Sequence, residues 1–405
     1  MPDSPGSFAL DFPRRMTAAP VLVAELGSLL YNDPVMLLNG IFPAITTPYY
    51  ADGRLYLKKL EYNVDRYGKG PITGIVVLGS TGEVVLCNGE EKRELLRTAI
   101  AAAAPAKVMI AGCGHESVHQ TTQTCEYAAS LGYDVAMVRT PHYYRAQMTP
   151  AAMLNYYRTV ADRSPLPVLL YNFPQCTGYD LPVELVVELA EHANIIGIKE
   201  SSGDLAKVER IVQRTRHIKR QVRTTHDFQP VTARMLKKAA TAPAGELVTA
   251  GALASTAGAP SANPLAQSVV ESPAPPSSAA VEVVGDLRTR HKEVGFQTLV
   301  GSGHKLQVLL NVGAVGGILA FASCAPTACY EVYAAFKDND YKLAEEKQQR
   351  IEAASARIVS ELGIAAVKYA ADLNGYYGGN PRLPLLPLTS TQRKEIERLM
   401  VDIKS

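Results

Sequence analysis

Eight short apolar runs separated by longer helical patterns constrain this chain more than any other feature. They fall at residues 41–46, 73–79, 107–112, 134–139, 167–172, 195–199, 296–301 and 315–321. Each is close to continuously hydrophobic, the pattern of parallel strands covered on both faces. Helix signals fill the gaps. Asn88-Gly89-Glu90-Glu91 opens an Ala/Leu/Arg stretch, Ser117 precedes an apolar-periodic run to Leu131, and Ser202-Gly203-Asp204 opens a third. Eight such units in succession predict an α/β fold closed into a (β/α)8 TIM barrel, rather than an open doubly wound sheet.

The barrel is expected over 40–325, after an N-terminal extension at 1–39 and before a C-terminal helical region at 326–405, which is broken at 375–384. Residues 239–285 are rich in Ala, Pro, Ser and Val and poor in aromatics and charges. Such a composition cannot fill a core, so it reads as a flexible low-complexity insert between the sixth helix and seventh strand. The first 35 or so residues are expected to be loosely attached.

Composition narrows the function classes. Of 405 residues, 47% are hydrophobic and 20% charged, the balance of a soluble globular protein. A net charge of +2 gives no electrostatic case for nucleic acid or an anionic membrane. No apolar run approaches the ~20 residues that span a bilayer. Six cysteines without a CxxC pair point to reduced thiols in a cytoplasmic setting. Near the N-terminus, Asp3 and Asp11 accompany Arg14 and Arg15 without an apolar core, which argues against a secretory signal.

Polar residues at the carboxyl ends of the strands are the candidates for chemistry, because barrel enzymes build their sites on that face. Lys199 ends Ile195-Ile196-Gly197-Ile198. A dry surrounding disfavours its ammonium and supplies a neutral amine able to attack a carbonyl. The alternative is an ion pair with a carboxylate such as Glu200. Tyr171 on the neighbouring strand end is either a proton relay or a satisfied core tyrosine. Ser80-Thr81-Gly82 is either a carboxylate cradle or only a turn.

His115-Glu116-Ser117-Val118-His119 matches HExxH, a zinc-protease pattern that needs both histidines on one helical face. Here Ser117 reads as the helix N-cap, leaving His115 outside the helix. Zinc is therefore not expected.

Four motifs recur together in this order: Gly79-Ser80-Thr81-Gly82-Glu83, Thr140-Pro141-His142-Tyr143-Tyr144, Tyr171-Asn172-Phe173-Pro174 with Thr177-Gly178, and Gly197-Ile198-Lys199-Glu200-Ser201. In these the chain resembles the dihydrodipicolinate synthase/N-acetylneuraminate lyase family of class I aldolases, from about residue 40 to 400. The resemblance implies that Lys199 forms a Schiff base with pyruvate and that Tyr171 donates and accepts protons. It implies that Ser80 and Thr81 hold the substrate carboxylate, and that Tyr143 completes the relay, often from a neighbouring subunit. Gly82, Ser201, Gly301 and Ile318 complete the expected substrate-binding set. A homo-oligomer, dimer or tetramer, is implied. The partners expected are a 2-oxo acid and an aldehyde, with neither metal nor organic cofactor, nucleic acid nor membrane.

Synthases of the family carry an arginine for the distal carboxylate where this chain has Cys176, which cannot make a charge-assisted bidentate contact. The chain is more similar to the 4-hydroxy-2-oxoglutarate aldolases. Met137-Val138, Tyr143-Tyr144-Arg145 ahead of Met148, Asp180-Leu181-Pro182 and Gly375-Tyr376-Tyr377-Gly378-Gly379 carry that likeness. Arg145 is a candidate for a second carboxylate, or a surface cation. The alternatives are a 4-hydroxy-tetrahydrodipicolinate synthase, a 2-keto-3-deoxy sugar acid aldolase or dehydratase, and a non-catalytic 2-oxo acid sensor.

Overall fold

Near-continuous apolar runs can only be satisfied if both faces of every strand are covered, and a closed ring wrapped in helices achieves this. The computed structural model describes residues 35–241, 282–284 and 287–403. The barrel strands are β1 (Gly40–Pro43), β2 (Gly74–Val77), β3 (Val108–Gly112), β4 (Val135–Arg139), β5 (Val168–Asn172) and β6 (Ile195–Glu200). After an excursion come β10 (Gln297–Val300) and β11 (Gly316–Leu319). They pair in the order β1-β11-β10-β6-β5-β4-β3-β2, in parallel. Ile45 N–H donates to Val76 O at 3.1 Å, beside a parallel bridge from Ala44 to Val76, and so joins the ends of the ring. All eight expected runs thus become barrel strands.

Alternation along the strands divides two cores. Phe42, Val76, Ile110, Met137, Leu169, Leu299 and Ile318 form a buried cluster inside the ring. The alternate positions, among them Ile75, Val77, Ala111, Val138, Leu170 and Ile198, pack with helix residues such as Leu60, Val64 and Leu95. Val35, Leu37 and Leu38 join the interior cluster. Leu38 N–H donates to Gln297 Oε1 at 2.7 Å, and Gln297 Nε2 donates to Met36 O at 2.8 Å. Residues 35–39, assigned above to the extension, therefore belong to the packing of the barrel. The rest of that extension, and all but the ends of the 239–285 insert, lie outside the described residues.

The helices begin where the sequence signals them. Asn88 caps Gly89–Ala102 in a reciprocal capping box with Glu91, Ser117 caps Val118–Leu131, and Asp204 caps Leu205–Thr215. An antiparallel sheet was not foreseen: β7 (Arg220–Thr225) and β8 (Glu282–Val284) flank β9 (Leu287–Val294). In β7 only Val222 and Thr224 are buried, so its hydrophobic signal is a weak period of two. C-terminal to β11 run helices Pro326–Lys337, Tyr341–Ser355, Ile364–Leu373 and Ser390–Leu399. Among the described residues no helix is long and apolar enough to cross a membrane.

Candidate active site

The mouth of the barrel gathers three of the expected residues. β4, β5 and β6 are in register so that Arg139 pairs with Tyr171 and Tyr171 with Lys199. Side chains at paired positions of adjacent parallel strands share a face. Met137 and Leu169, two residues earlier, belong to the interior cluster, so this row points inward. Lys199 is buried, with its Nζ 4.1 Å from the centroid of the Tyr171 ring. The Tyr171 hydroxyl lies 3.2 Å from Ser80 Oγ.

Glu200 does not pair with Lys199. As the next residue it faces the other side, where its carboxylate accepts from Asn172 Nδ2 at 2.8 Å and Ser202 N–H at 2.6 Å. The buried ammonium of Lys207 stands 3.4 Å from it and also binds Asp180. Among the described residues no carboxylate forms an ion pair with Lys199. Burial, offset only in part by the nearby Cys176 thiol, pulls its amine from 10.5 down to about 7. Burial also pushes the Tyr171 phenol up, while the Ser80 hydroxyl draws it back. The result is an amine close to half neutral at pH 7, beside a phenol that keeps its proton.

Ser80–Gly82 is a tight turn directly after β2, with Thr81 buried. Thr47 Oγ1 donates to Gly82 O at 2.6 Å. Glu83 follows in the left-handed region at φ 56°. Its fully buried carboxylate meets the equally buried Lys368 at 2.5 Å and accepts the Arg382 N–H at 2.7 Å. The turn is therefore tied to helix Ile364–Leu373 and the segment after it. At the ends of β6 and β10, Gly301 has no room for a Cβ against Ser201, and its N–H donates to Glu200 O at 2.9 Å. Ile318 is fully buried in the barrel interior.

A family model described as the dihydrodipicolinate synthetase family matches residues 37–219 and 279–403. The chain belongs to that family. Its 4-hydroxy-tetrahydrodipicolinate synthase relatives include that of Methanosarcina barkeri, 26% identical over 361 residues, covering 89% of this chain and 96% of that protein. Another is from Stenotrophomonas maltophilia, 39% identical over 177 residues, or 44% of this chain and 59% of that one. The crystal structure of dihydrodipicolinate synthase DapA-2 from Bacillus anthracis matches with TM-score 0.68 and 23% identity, covering 92% of this chain and all (100%) of that one. YagE from E. coli K12, solved with pyruvate, matches with TM-score 0.66, 23% identity and coverage of 91% and 99%. These structures establish a shared barrel. As a member of this family the chain is a class I aldolase or lyase.

Two expected residues stand apart from the cluster within this one chain. Tyr143 is 76% exposed, and its ring meets that of Tyr144 edge to face at 5.1 Å. Arg145 is exposed and lies against Gly178, beyond the turn that carries Cys176. Cys176 is itself exposed, with its thiol in electrostatic reach of Lys199. In the HExxH match, helix Val118–Leu131 begins after His115, whose Nε2 lies 3.0 Å from Thr124 Oγ1. The i,i+4 arrangement of two histidines on one helical face is absent.

Glu116 of that motif does have a place near the site. Its Oε1 meets Arg139 Nη1 at 3.1 Å, and its Oε2 accepts the N–H groups of His142 and Tyr143 at 2.9 and 3.0 Å. The sequence reading missed Arg139. The signal for it was available: Arg139 is the one charge in β4 and shares the inward parity of Met137.

Proposed function

We propose that the chain is a Schiff-base aldolase that cleaves a 4-hydroxy-2-oxo acid to pyruvate and an aldehyde, with 4-hydroxy-2-oxoglutarate as the best-fitting substrate. The observation that carries this is Lys199, a buried amine with no carboxylate partner among the described residues, drawn down to about 7 and packed against Tyr171. The neutral amine adds to the C2 ketone, and the carbinolamine loses water to give an iminium. Tyr171 relays the proton of the C4 hydroxyl, accepting it as its own phenol proton passes through Ser80 toward solvent, while the C3–C4 bond breaks. The bonding electrons pass into the iminium, giving an enamine and releasing the aldehyde. Protonation at C3 and hydrolysis then free pyruvate and restore the lysine. Ser80, 3.2 Å from the phenol, connects Tyr171 to the turn that would hold the C1 carboxylate.

Tyr143 fits this scheme as a group supplied to a second copy of the chain. Its exposed ring, on a loop held by Glu116, would then enter the neighbour's site, and the working form would be a dimer or tetramer.

A second reading is favoured by the names of the relatives: condensation of pyruvate with aspartate semialdehyde on the same imine, as in the 4-hydroxy-tetrahydrodipicolinate synthases. Cys176, in place of the arginine expected of those enzymes, weighs against it. Borohydride reduction in the presence of pyruvate tests the shared step, and peptide mass mapping should place the adduct on Lys199. If no adduct forms, the imine is wrong. Cleavage of 4-hydroxy-2-oxoglutarate measured against condensation with aspartate semialdehyde decides between the two.

A further inference from the structure

Arg139 is a cation placed inside the mouth of the barrel, in the same inward row as Tyr171 and Lys199. It lines one cleft together with Ser80, Met137 and Tyr171. Its side chain is only 15% exposed. Gly114 makes room for it, since a Cβ there would stand 2.7 Å from Arg139 Cγ.

One edge of the guanidinium is fixed. Nη1 lies 3.1 Å from Glu116 Oε1 and 2.7 Å from His142 Nδ1. Nε, by contrast, is buried without a hydrogen-bond partner among the described residues. A buried donor on a cation is costly to leave unpaired, and a planar guanidinium suits a carboxylate. The two positions where a distal-carboxylate cation was sought do not provide one inside the barrel. Cys176 carries no charge to offer, and Arg145 is exposed beyond the loop.

We propose that Arg139 binds the distal carboxylate of the substrate, so that the enzyme selects dicarboxylic 4-hydroxy-2-oxo acids over those ending in a neutral group. This rests on the imine chemistry above and names the substrate class it serves. Glu116 is then a positioning residue: it holds one guanidinium edge and leaves the rest of the fork to the substrate. The C1 carboxylate stays with the Ser80–Gly82 turn.

The test compares wild type with Arg139→Met and Arg139→Lys on two substrates, 4-hydroxy-2-oxoglutarate and 4-hydroxy-2-oxopentanoate, which ends in a methyl group. Pyruvate trapping by borohydride is measured in each protein, and circular dichroism reports folding separately. Arg139→Met should lower kcat/KM for the dicarboxylate about 10- to 100-fold, as expected for a lost charge-assisted contact. It should change the neutral substrate by no more than about twofold and leave trapping intact. Arg139→Lys should recover part of the loss. Equal losses on both substrates would make Arg139 a strut for the 142–145 loop and overturn the proposal. So would an unchanged preference, or loss of pyruvate trapping in the variant, which would move the contact to C1. Absence of trapping in wild type would remove the imine itself, a separate and earlier failure.

Discussion

Placing a carboxylate beside Lys199 tests directly the source of the reactivity proposed for this amine. Burial takes it from 10.5 to about 7. At pH 7 roughly half of it is then neutral, against about 3 in 10,000 for a lysine left at 10.5, an advantage of about 1,500-fold. Cys176 is the group already in electrostatic reach of Lys199, and its exposed position should tolerate substitution. An ionised carboxylate a few ångströms from an amine raises it by roughly one to three pH units. Taking about 1.5, Cys176→Asp moves the midpoint to about 8.5, and the neutral fraction at pH 7 falls to roughly 3%. Adduct formation with pyruvate should then slow about 15-fold at pH 7 and match wild type near pH 10. Rapid-quench borohydride trapping from pH 6 to 10 measures this, with Cys176→Asn as the neutral control. A wild-type midpoint above 9 would refute the desolvation account. A Cys176→Asp variant slowed equally at every pH would show a steric effect instead.

Tyr171→Phe should keep the pyruvate adduct yet lose about 10²- to 10⁴-fold in aldol turnover, because imine formation and proton relay are separable steps; kcat and trapping together check this. Lys368→Met strands the fully buried Glu83 carboxylate, and urea unfolding should show a loss of about 3–5 kcal/mol. Adding Glu83→Gln should return much of it. Lys199→Met abolishes trapping but stabilises the fold. Between about 7 and 10.5 the unfolded chain holds a proton that folded Lys199 lacks, so wild-type stability rises with pH through that window and is flat below it. The gain of Lys199→Met in urea midpoint is therefore largest at pH 7 and fades toward pH 10.

The barrel was legible because its strands demand burial on both faces and so write unbroken apolar runs into the sequence. β7 and β9 were not, because a half-exposed antiparallel strand such as β7, with Val222 and Thr224 buried among arginines and glutamine, carries little hydrophobic contrast. Lys199, Tyr171 and Ser80 were readable from strand ends and motif order. What sequence could not supply was the register among β4, β5 and β6, a long-range property that places Arg139 in the same row. Tyr143 shows a different limit: its motif placed it in the expected set, while in the single chain its side chain is exposed and apart from that row. The HExxH match failed for a local reason: Ser117 caps the helix, which leaves His115, two residues earlier, off the helical face.

The reactivity assigned to Lys199 depends on a one-residue alternation. β6 ends in Lys199 and Glu200, opposite charges that could have neutralised each other. The pleat sends Lys199 inward and Glu200 outward. There Glu200 is engaged by Asn172, by the Ser202 N–H and by the buried Lys207, which has no role in the proposed chemistry. Lys207 thus leaves the carboxylate with a partner of its own, and the amine proposed as nucleophile stays lowered by its burial. A register slip of one residue would exchange the two faces and put an anion where the proposed substrate ketone would bind. A dry barrel interior and a paired outer carboxylate are both needed before a strand-end lysine becomes a nucleophile near neutral pH.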